Sequence, residues 1–354
     1  MLGFEIGRGG GHAAGRVTGP VWLRLSMTCR GLFAGLCTLD LVQSVERMPG
    51  ANEKVTALGQ TVAAGGPAAN AAVAFAHLGG IATLVSAVGA HPLAQGVLAD
   101  LAQHGVRLAD LTPDAAGPPA ISTIMVTRGT GDRAVVSVNG SGVRVQPPPG
   151  LADLVAANHV VHLDGHHPDL ALAAARLARE RGRLTVLDGG SWKPGTAELL
   201  PYVDVAVVSG DFHPPGARTP QDVLAYLAGA GVRWTAVTSG GGAVLWRGGG
   251  EAPGEVRSHP VPRVDVVDTL GAGDVLHGAL TFALCRALTQ ALGPVTGSVP
   301  GSGDPGSVTE AVIEDTFAAA LSYAIPIASA ACASFGTRAW IGSGGDGSPP
   351  RTHR

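Results

Sequence analysis

From Gly31 onward, short apolar runs alternate with helical patterns: IATLVSAVG precedes PLAQGVLADLAQHG, HVVHLDG precedes PDLALAAARLARERG, and RLTVLDGG precedes GTAELL. Strands that each feed a helix before the next strand line up in parallel and take their helices onto the sheet faces. The rhythm therefore predicts an α/β fold with a mainly parallel central sheet. Two segments break it, Leu41 to Ala64 and Ile121 to Val138. In the second, ISTIMVT and RAVVSV flank a GTGD turn as hairpin strands do, so the two segments are expected to form a small sheet outside the main one.

A chain of 354 residues, 45% hydrophobic and 14% charged, can bury a core of this size. Glycine and proline concentrate elsewhere. Residues 1–26 have no hydrophobic period and read as a disordered extension, with Met27 an alternative start; 27–342 reads as the folded domain and 343–354 as a disordered tail. The run GPVTGSVPGSGDPGS, residues 293–307, reads as a flexible surface loop. Thr316 to Phe335 is uncharged over a membrane-spanning length, but Pro326, the many alanines and the lack of a second span favour a buried helix.

Several function classes fall away. The net charge of −3, with no cluster of Lys or Arg, offers nucleic acid no phosphate-binding stripe. Cys29, Cys37, Cys285 and Cys332 lie far apart without a CxxC pair, which fits a reducing cytoplasm and suggests neither a zinc site nor a disulfide framework. The two lysines, Lys54 and Lys193, occupy neither a GxxxxGK[ST] loop nor a VAIK strand, which excludes P-loop and protein-kinase chemistry. Any phosphate must be held by backbone N–H groups, arginine or a metal ion.

The strongest local signal is VDVVDTLGAGDVLHGALTFAL, Val264 to Leu284: a β-branched strand, a glycine turn and a helix start. Gly271 and Gly273 clear side chains from successive N–H groups, Ala272 adds little bulk, and the helix dipole supplies positive potential, so the turn can hold a phosphate-sized anion without lysine. Asp274 beside such a hole would repel a bound phosphate unless it has work to do. Accepting a proton from an attacking hydroxyl is that work; a plain N-cap is the alternative. A dinucleotide site is excluded because Leu276 stands where the third glycine belongs and the motif comes late in the chain.

The second signal is AAGGPAANAAVAFAHLGG, Ala63 to Gly80. Gly65 and Gly66 end a strand, Pro67 suits a first helical turn, and Asn70 presents an amide one turn in, with small residues behind it for close helix packing.

GGPAAN with its following LGG, and DTLGAGDVLHGA some two hundred residues later, resemble the two signatures of the PfkB, or ribokinase-like, carbohydrate kinases. The resemblance runs over nearly all of Gly31 to Ile341, including an opening strand that ends GLCTLD, and HLDGHHPD and DVLHGA are similar in texture to the ketohexokinase-like and sulfofructose-kinase-like branch. It implies a three-layer ribokinase-like α/β fold with a projecting β-sheet lid, and ATP-dependent phosphorylation of a sugar or sugar-like hydroxyl. On it, Asp274 is similar to the catalytic base and Gly271, Ala272 and Gly273 to the anion hole; Asp40, Gly65, Gly66 and Asn70 match substrate-binding positions. Asp164, at a strand end on the expected ligand-bearing edge, joins them. Thr238 and the run Ser239, Gly240, Gly242 resemble the loop along ATP, a plain hairpin turn being the alternative, and Lys193 is a candidate for a phosphate or the substrate. The implied cofactors are ATP and Mg2+, with K+ at a site like that of Asp268 and carbonyls near Ser334 and Gly336.

The sequence departs from the family where NxxE is frequent: VAVVSGDFHPP offers Ser209 and Asp211, which leaves Asp211 as the magnesium-region candidate. Leu276 replaces a frequent Phe, and the i, i+4 pair His162 and His166 falls on a strand end, where that spacing makes no metal site. Pro67 stands where some members have Lys, with only Arg47 and Lys54 as lid cations before it, so an unphosphorylated acceptor is expected. Aromatic residues at 4% lean toward sugars and away from the alternative of a nucleoside kinase, and retained Asp274 argues against a silent sugar-binding regulator. An exposed lid face is expected to pair with a second lid, making a homodimer, with no nucleic-acid or membrane partner.

Overall fold

The computed structural model describes residues 28–140, 143–249, 255–292 and 305–342. In chain order its strands are β1 (Arg30–Ala34), β2 (Thr38–Val45), β3 (Gly59–Gly65), β4 (Ile81–Ser86), β5 (Val106–Asp110), β6 (Ile121–Thr127), β7 (Arg133–Ser137), β8 (Val160–Leu163), β9 (Leu184–Gly189), β10 (Val205–Ser209), β11 (Trp234–Thr238), β12 (Val244–Arg247) and β13 (Arg257–His259). The helices are α1 (Pro67–His77), α2 (Ala94–Gln103), α3 (Leu151–Ala156), α4 (Pro168–Glu180), α5 (Thr196–Leu199), α6 (Pro220–Gly229), α7 (Ala272–Leu292) and α8 (Pro305–Ala331).

The strands form two sheets. Nine make the order β13-β12-β11-β10-β9-β8-β1-β4-β5, parallel from β11 to β5 and closed by an antiparallel edge. Every residue of β8 and β9 is buried, as parallel strands covered on both faces require. Side chains alternate between two cores: Phe33 packs with Phe75, Leu280 and Phe317 from α1, α7 and α8, while Leu32 and Ala34 face Leu170 and Leu224 from α4 and α6. This is the expected three-layer α/β architecture.

The second sheet, β3-β2-β6-β7, is the expected lid, built from the two segments that broke the rhythm; β2 runs parallel to β6 and antiparallel to β3. The opening run is not one strand. It leaves the main sheet at Ala34 and re-enters pairing in the lid at Thr38, so Asp40 belongs to the lid. Asp164, only 1% exposed, fixes this crossing: its Oδ2 accepts from Leu36 N at 2.8 Å and Ala68 N at 3.1 Å, and Oδ1 from His166 N at 2.8 Å. A Cβ on Gly35 would sit 2.2 Å from that carboxyl, so the bend needs glycine there.

The readings of 1–26 and 343–354 lie outside the described residues, as does most of the 293–307 loop. Helix α8 begins at Pro305, taking up the last three residues assigned to that loop, and ends at Ala331, short of Phe335, with Pro326 inside it. Among the described residues no helix is long and apolar enough to cross a membrane.

Helices α1 and α7 meet through Gly278, where a Cβ would lie 2.4 Å from Ala71 O and 2.6 Å from Ala74 Cβ. Alanine favours a helix by about 1 kcal/mol over glycine, yet Gly278→Ala is expected to destabilise the protein by about 1–3 kcal/mol, because backbone and helix must part to admit one methyl. Urea unfolding measures the sign; a more stable variant would mean that the helices are free to separate.

Candidate active site

The first turns of α1 and α7 face each other. Asn70, the fourth residue of α1, donates from Nδ2 to Asp274 Oδ2 at 2.7 Å, and Asp274 is the third residue of α7. Its carboxyl therefore engages a side chain across the helix interface instead of capping its own helix. Burial pushes the Asp274 carboxyl up to about 7, with the negative charge of nearby Asp188 adding to the effect and the Asn70 hydrogen bond opposing it.

The amide of Asn70 is oriented from behind. Arg338 Nη1 donates to Asn70 Oδ1 at 2.9 Å, which leaves the NH2 group facing Asp274. The guanidinium is itself pinned: Nε and Nη2 reach Asp100 Oδ2 at 3.1 and 3.0 Å, and Nη2 donates to Ala64 O at 2.7 Å. Asp100 Oδ2 also accepts from Ala64 N at 3.1 Å, so the same pair anchors the end of lid strand β3.

The glycine turn opens a helix as expected, but Val264 to Asp268 approaches it as irregular chain and not as the expected strand. Gly271 has φ +73°, and a Cβ there would press on Thr337 Cγ2 at 3.1 Å. Helix geometry leaves the first-turn amides without intrahelical acceptors: Ala272 N reaches back to Thr269 O at 3.4 Å, and Val275 N donates to Gly271 O at 2.9 Å. Nothing lies within 4 Å of a Cβ placed on Gly273, so the space above the turn is open to a ligand. His277, one turn on, lies 2.7 Å from Gly273 O and 3.3 Å from Asp188 Oδ2 through Nδ1, and 2.9 Å from Val207 O through Nε2. It ties the start of α7 to the ends of β9 and β10. From the lid, Arg133 Nη1 donates to Thr269 Oγ1.

Asp40 lies on the inner lid face, where Thr38 Oγ1 donates to its Oδ1 at 2.6 Å, and burial raises its carboxyl. The two glycines of GGPAAN act by leaving room. A Cβ on Gly65 would sit 2.0 Å from the Asp40 carboxyl, and one on Gly66, at φ +91°, would sit 2.5 Å from Leu36 O.

Other candidates fall elsewhere. Asp164 is a buried brace with both oxygens engaged. Asp268, 2% exposed, accepts from Leu270 N at 2.8 Å and Gly336 N at 2.9 Å, so it too braces the main chain. Thr238 ends β11, and Ser239 to Gly242 form the turn of the β11–β12 hairpin on the same sheet edge, with Gly242 N donating to Ser239 O at 2.9 Å. Asp211 is exposed beyond β10, and no group of three or more metal-ligating side chains occurs among the described residues. His162 is a core residue against Phe33 and Thr281, with no metal-ligand geometry toward His166. Lys193 Nζ lies 3.4 Å from Asp164 O and Ser191 O, at the ends of β8 and β9.

Sequence reasoning missed Arg338, Asp100, Asp188 and His277. Asp188 ends the strand run RLTVLD on the ligand-bearing edge, the signal that singled out Asp164; Arg338, 268 residues from Asn70, carries no local signal.

Residues 32–339 match the model of the pfkB family carbohydrate kinases. The chain is 31% identical over 258 residues to an ATP-dependent ribose-1-phosphate kinase of Halopiger xanaduensis, covering 69% of this chain and 81% of that protein. It is 25% identical over 260 residues to a ribokinase of Lactococcus lactis, covering 72% and 83% respectively. The solved ribokinase of Giardia lamblia superposes with a TM-score of 0.71 at 18% identity, over 89% of this chain and 96% of that one.

Arg338→Met frees the Asn70 amide to turn its carbonyl toward Asp274. The pH below which activity falls is then expected to rise by about one unit, the equivalent of about 1.4 kcal/mol, with Arg338→Lys recovering part of it. An unmoved pH profile in a folded variant would show that Asn70 holds its orientation without Arg338.

Proposed function

The chain belongs to the pfkB family of carbohydrate kinases, whose members are ATP-dependent phosphotransferases, and we propose that it transfers the γ-phosphoryl group of MgATP to a hydroxyl of a sugar or sugar-like alcohol. One observation carries the assignment of roles: a carboxyl held by Asn70 and raised by burial to about 7 sits in the first turn of a helix whose leading amides face open space. As the acceptor oxygen attacks the γ-phosphorus, Asp274 takes its proton, the bond from phosphorus to the β–γ bridging oxygen breaks, and that electron pair leaves with ADP. Charge on the equatorial oxygens meets the amides of Gly271, Ala272 and Gly273.

The acceptor lies under the lid between Asp40 and Asn70, and the nucleotide along Thr238, Ser239, Gly240 and Gly242. The name of the Halopiger relative supports ATP as donor and a ribose derivative as acceptor. In that relative the acceptor carries a phosphate, which bears on whether this chain's acceptor is charged.

The lid's outer face supports a homodimer. Val62, Leu41, Thr123 and Val136 are directly paired across all four strands and exposed, Val136 at 72%. An apolar row of that kind on a small sheet is covered in most stable proteins.

Asp274→Asn keeps the volume and cannot take a proton, so kcat should fall roughly 10²- to 10⁴-fold with ATP affinity similar or higher. In the wild type the base works ionised and its carboxyl is raised, so activity should be lost as pH falls through about 7, about tenfold per unit. A folded Asp274→Asn protein keeping more than about a tenth of wild-type kcat, less than general-base removal costs, would refute the mechanism.

Light scattering at micromolar concentration should give twice the chain mass and, for Val136→Glu, a shift toward monomer. A wild-type monomer would remove the dimer.

A further inference from the structure

A cavity of about 390 Å³ lies where the connection from β7 to α3 meets the start of α4 and the loop after β9. Four basic side chains line it: Arg144, His166, His167 and Lys193. The carboxylate on the same wall, Asp169, is paired with Arg144 Nε at 3.3 Å. Lys193 makes no close ion pair among the described residues: its Nζ lies 3.4 Å from two carbonyls, and its charge acts on the buried Asp188 carboxyl. In a chain with two lysines, this placement of one is conspicuous.

The helix beginning at this wall has thirteen residues, and its N-cap, His167, makes no side-chain capping bond. Its first-turn amides and dipole therefore add positive potential at the cavity. His167 is 9% exposed, and its Nε2 is buried without a hydrogen-bond partner. It also holds φ 54°, in the left-handed region. A buried, unpartnered ring nitrogen on a wall with Lys193 and Arg144 at a helix start fits an anion.

The cavity borders the link that carries the chain from β1 into the lid. A Cβ on Gly140, in its wall, would lie 3.2 Å from Leu36 Cδ1, and Leu36 is in the link that carries the chain from β1 to Asp40. The nucleotide-side turn at the end of β11 is separated from β9, and so from Lys193, by β10. Lys193 therefore lies two strands away from that turn, against the Asp164 carbonyl just after β8.

We propose that this cavity is an anion subsite, taking a carboxylate, phosphate or sulfonate carried by the acceptor sugar at a distance from the hydroxyl that is phosphorylated. The inference rests on the kinase reading above and names its substrate class. The expectation of an uncharged acceptor counted cations on the lid strands before Pro67; the charge enters from the opposite wall, through α4 and the β9–α5 loop.

The test uses the full-length protein and paired acceptors sharing one carbon skeleton, a neutral sugar and its counterpart bearing a terminal carboxylate or phosphate. The anionic member should have the higher kcat/KM. Lys193→Met should lower the ratio of anionic to neutral kcat/KM about 10- to 100-fold, the worth of a charge-assisted hydrogen bond, and Lys193→Arg should restore most of it. Equal use of both members by the wild type, or an unchanged ratio in Lys193→Met, would overturn the proposal. Inorganic phosphate separates a free anion from one carried by the sugar. Competition against the anionic acceptor supports the subsite; phosphate that depends on Lys193 yet stimulates neutral sugars without competing would make the ligand a regulatory ion and overturn the assignment. If neither member of any pair is phosphorylated, the kinase reading fails. Calorimetric binding of the acidic and neutral sugars then decides the subsite by itself.

Discussion

The approach of α1 to α7 is set by a missing side chain. At Gly278 the backbone of α1 comes within the distance at which a Cβ would stand, so the two helices touch through main chain and methyl groups. Asn70 immediately precedes Ala71 on one helix, and Asp274 precedes Gly278 by one turn on the other. Close packing one turn below is what brings amide and carboxylate to 2.7 Å. The site inherits the rigidity of two packed helices whose other contacts are the main core, Phe75 against Phe282 included.

Charge is arranged around that contact in a graded way. Asp274, Asp188 and Asp40 all have carboxyls raised by burial, Asp274 to about 7. On the proposed mechanism this eases the conflict of an aspartate beside a bound phosphate. A carboxyl poised near neutrality repels the nucleotide less than a fully ionised one and can still take a proton. Arg338 contributes at one remove, spending its charge on Asp100 and its geometry on the Asn70 amide.

The elements readable from sequence were those whose physics is local. Strand–helix alternation gave the central sheet, and the glycine turn with Asp274 and the GGPAAN helix start read correctly because positive φ and steric clearance leave a residue signature. The crossing at Gly35 did not, since GLCTLD reads as a continuous strand until Asp164, more than a hundred residues later, supplies the hydrogen bonds that bend it. For the same reason Asp164, chosen for its place at a strand end, and Asp268, carried over from the family resemblance, turn out to accept main-chain hydrogen bonds: sequence marks where a carboxylate stands but not which main-chain amides claim it. The start of α8 was assigned to a loop on composition, and Arg338 was invisible because its partners are assembled by topology alone. The cavity wall of Arg144, His166, His167 and Lys193 was not legible either, because three separate segments supply it.

The order in which the chain leaves the ribosome gives the same contacts a meaning in time. The Asn70–Asp274 pair spans 204 residues and the Arg338–Asn70 pair 268, so the acceptor-side residues are made long before the base, and the residue that orients the amide is among the last. β1 waits for β8 before its second neighbour exists. A nascent chain can therefore hold the lid strands and Asp40 before Asp274 and Arg338 exist. The contact that orients the Asn70 amide closes only when the segment after α8 sets Arg338 between Asp100 and Asn70, so a polypeptide cut short before that segment keeps the lid and loses the brace behind Asn70.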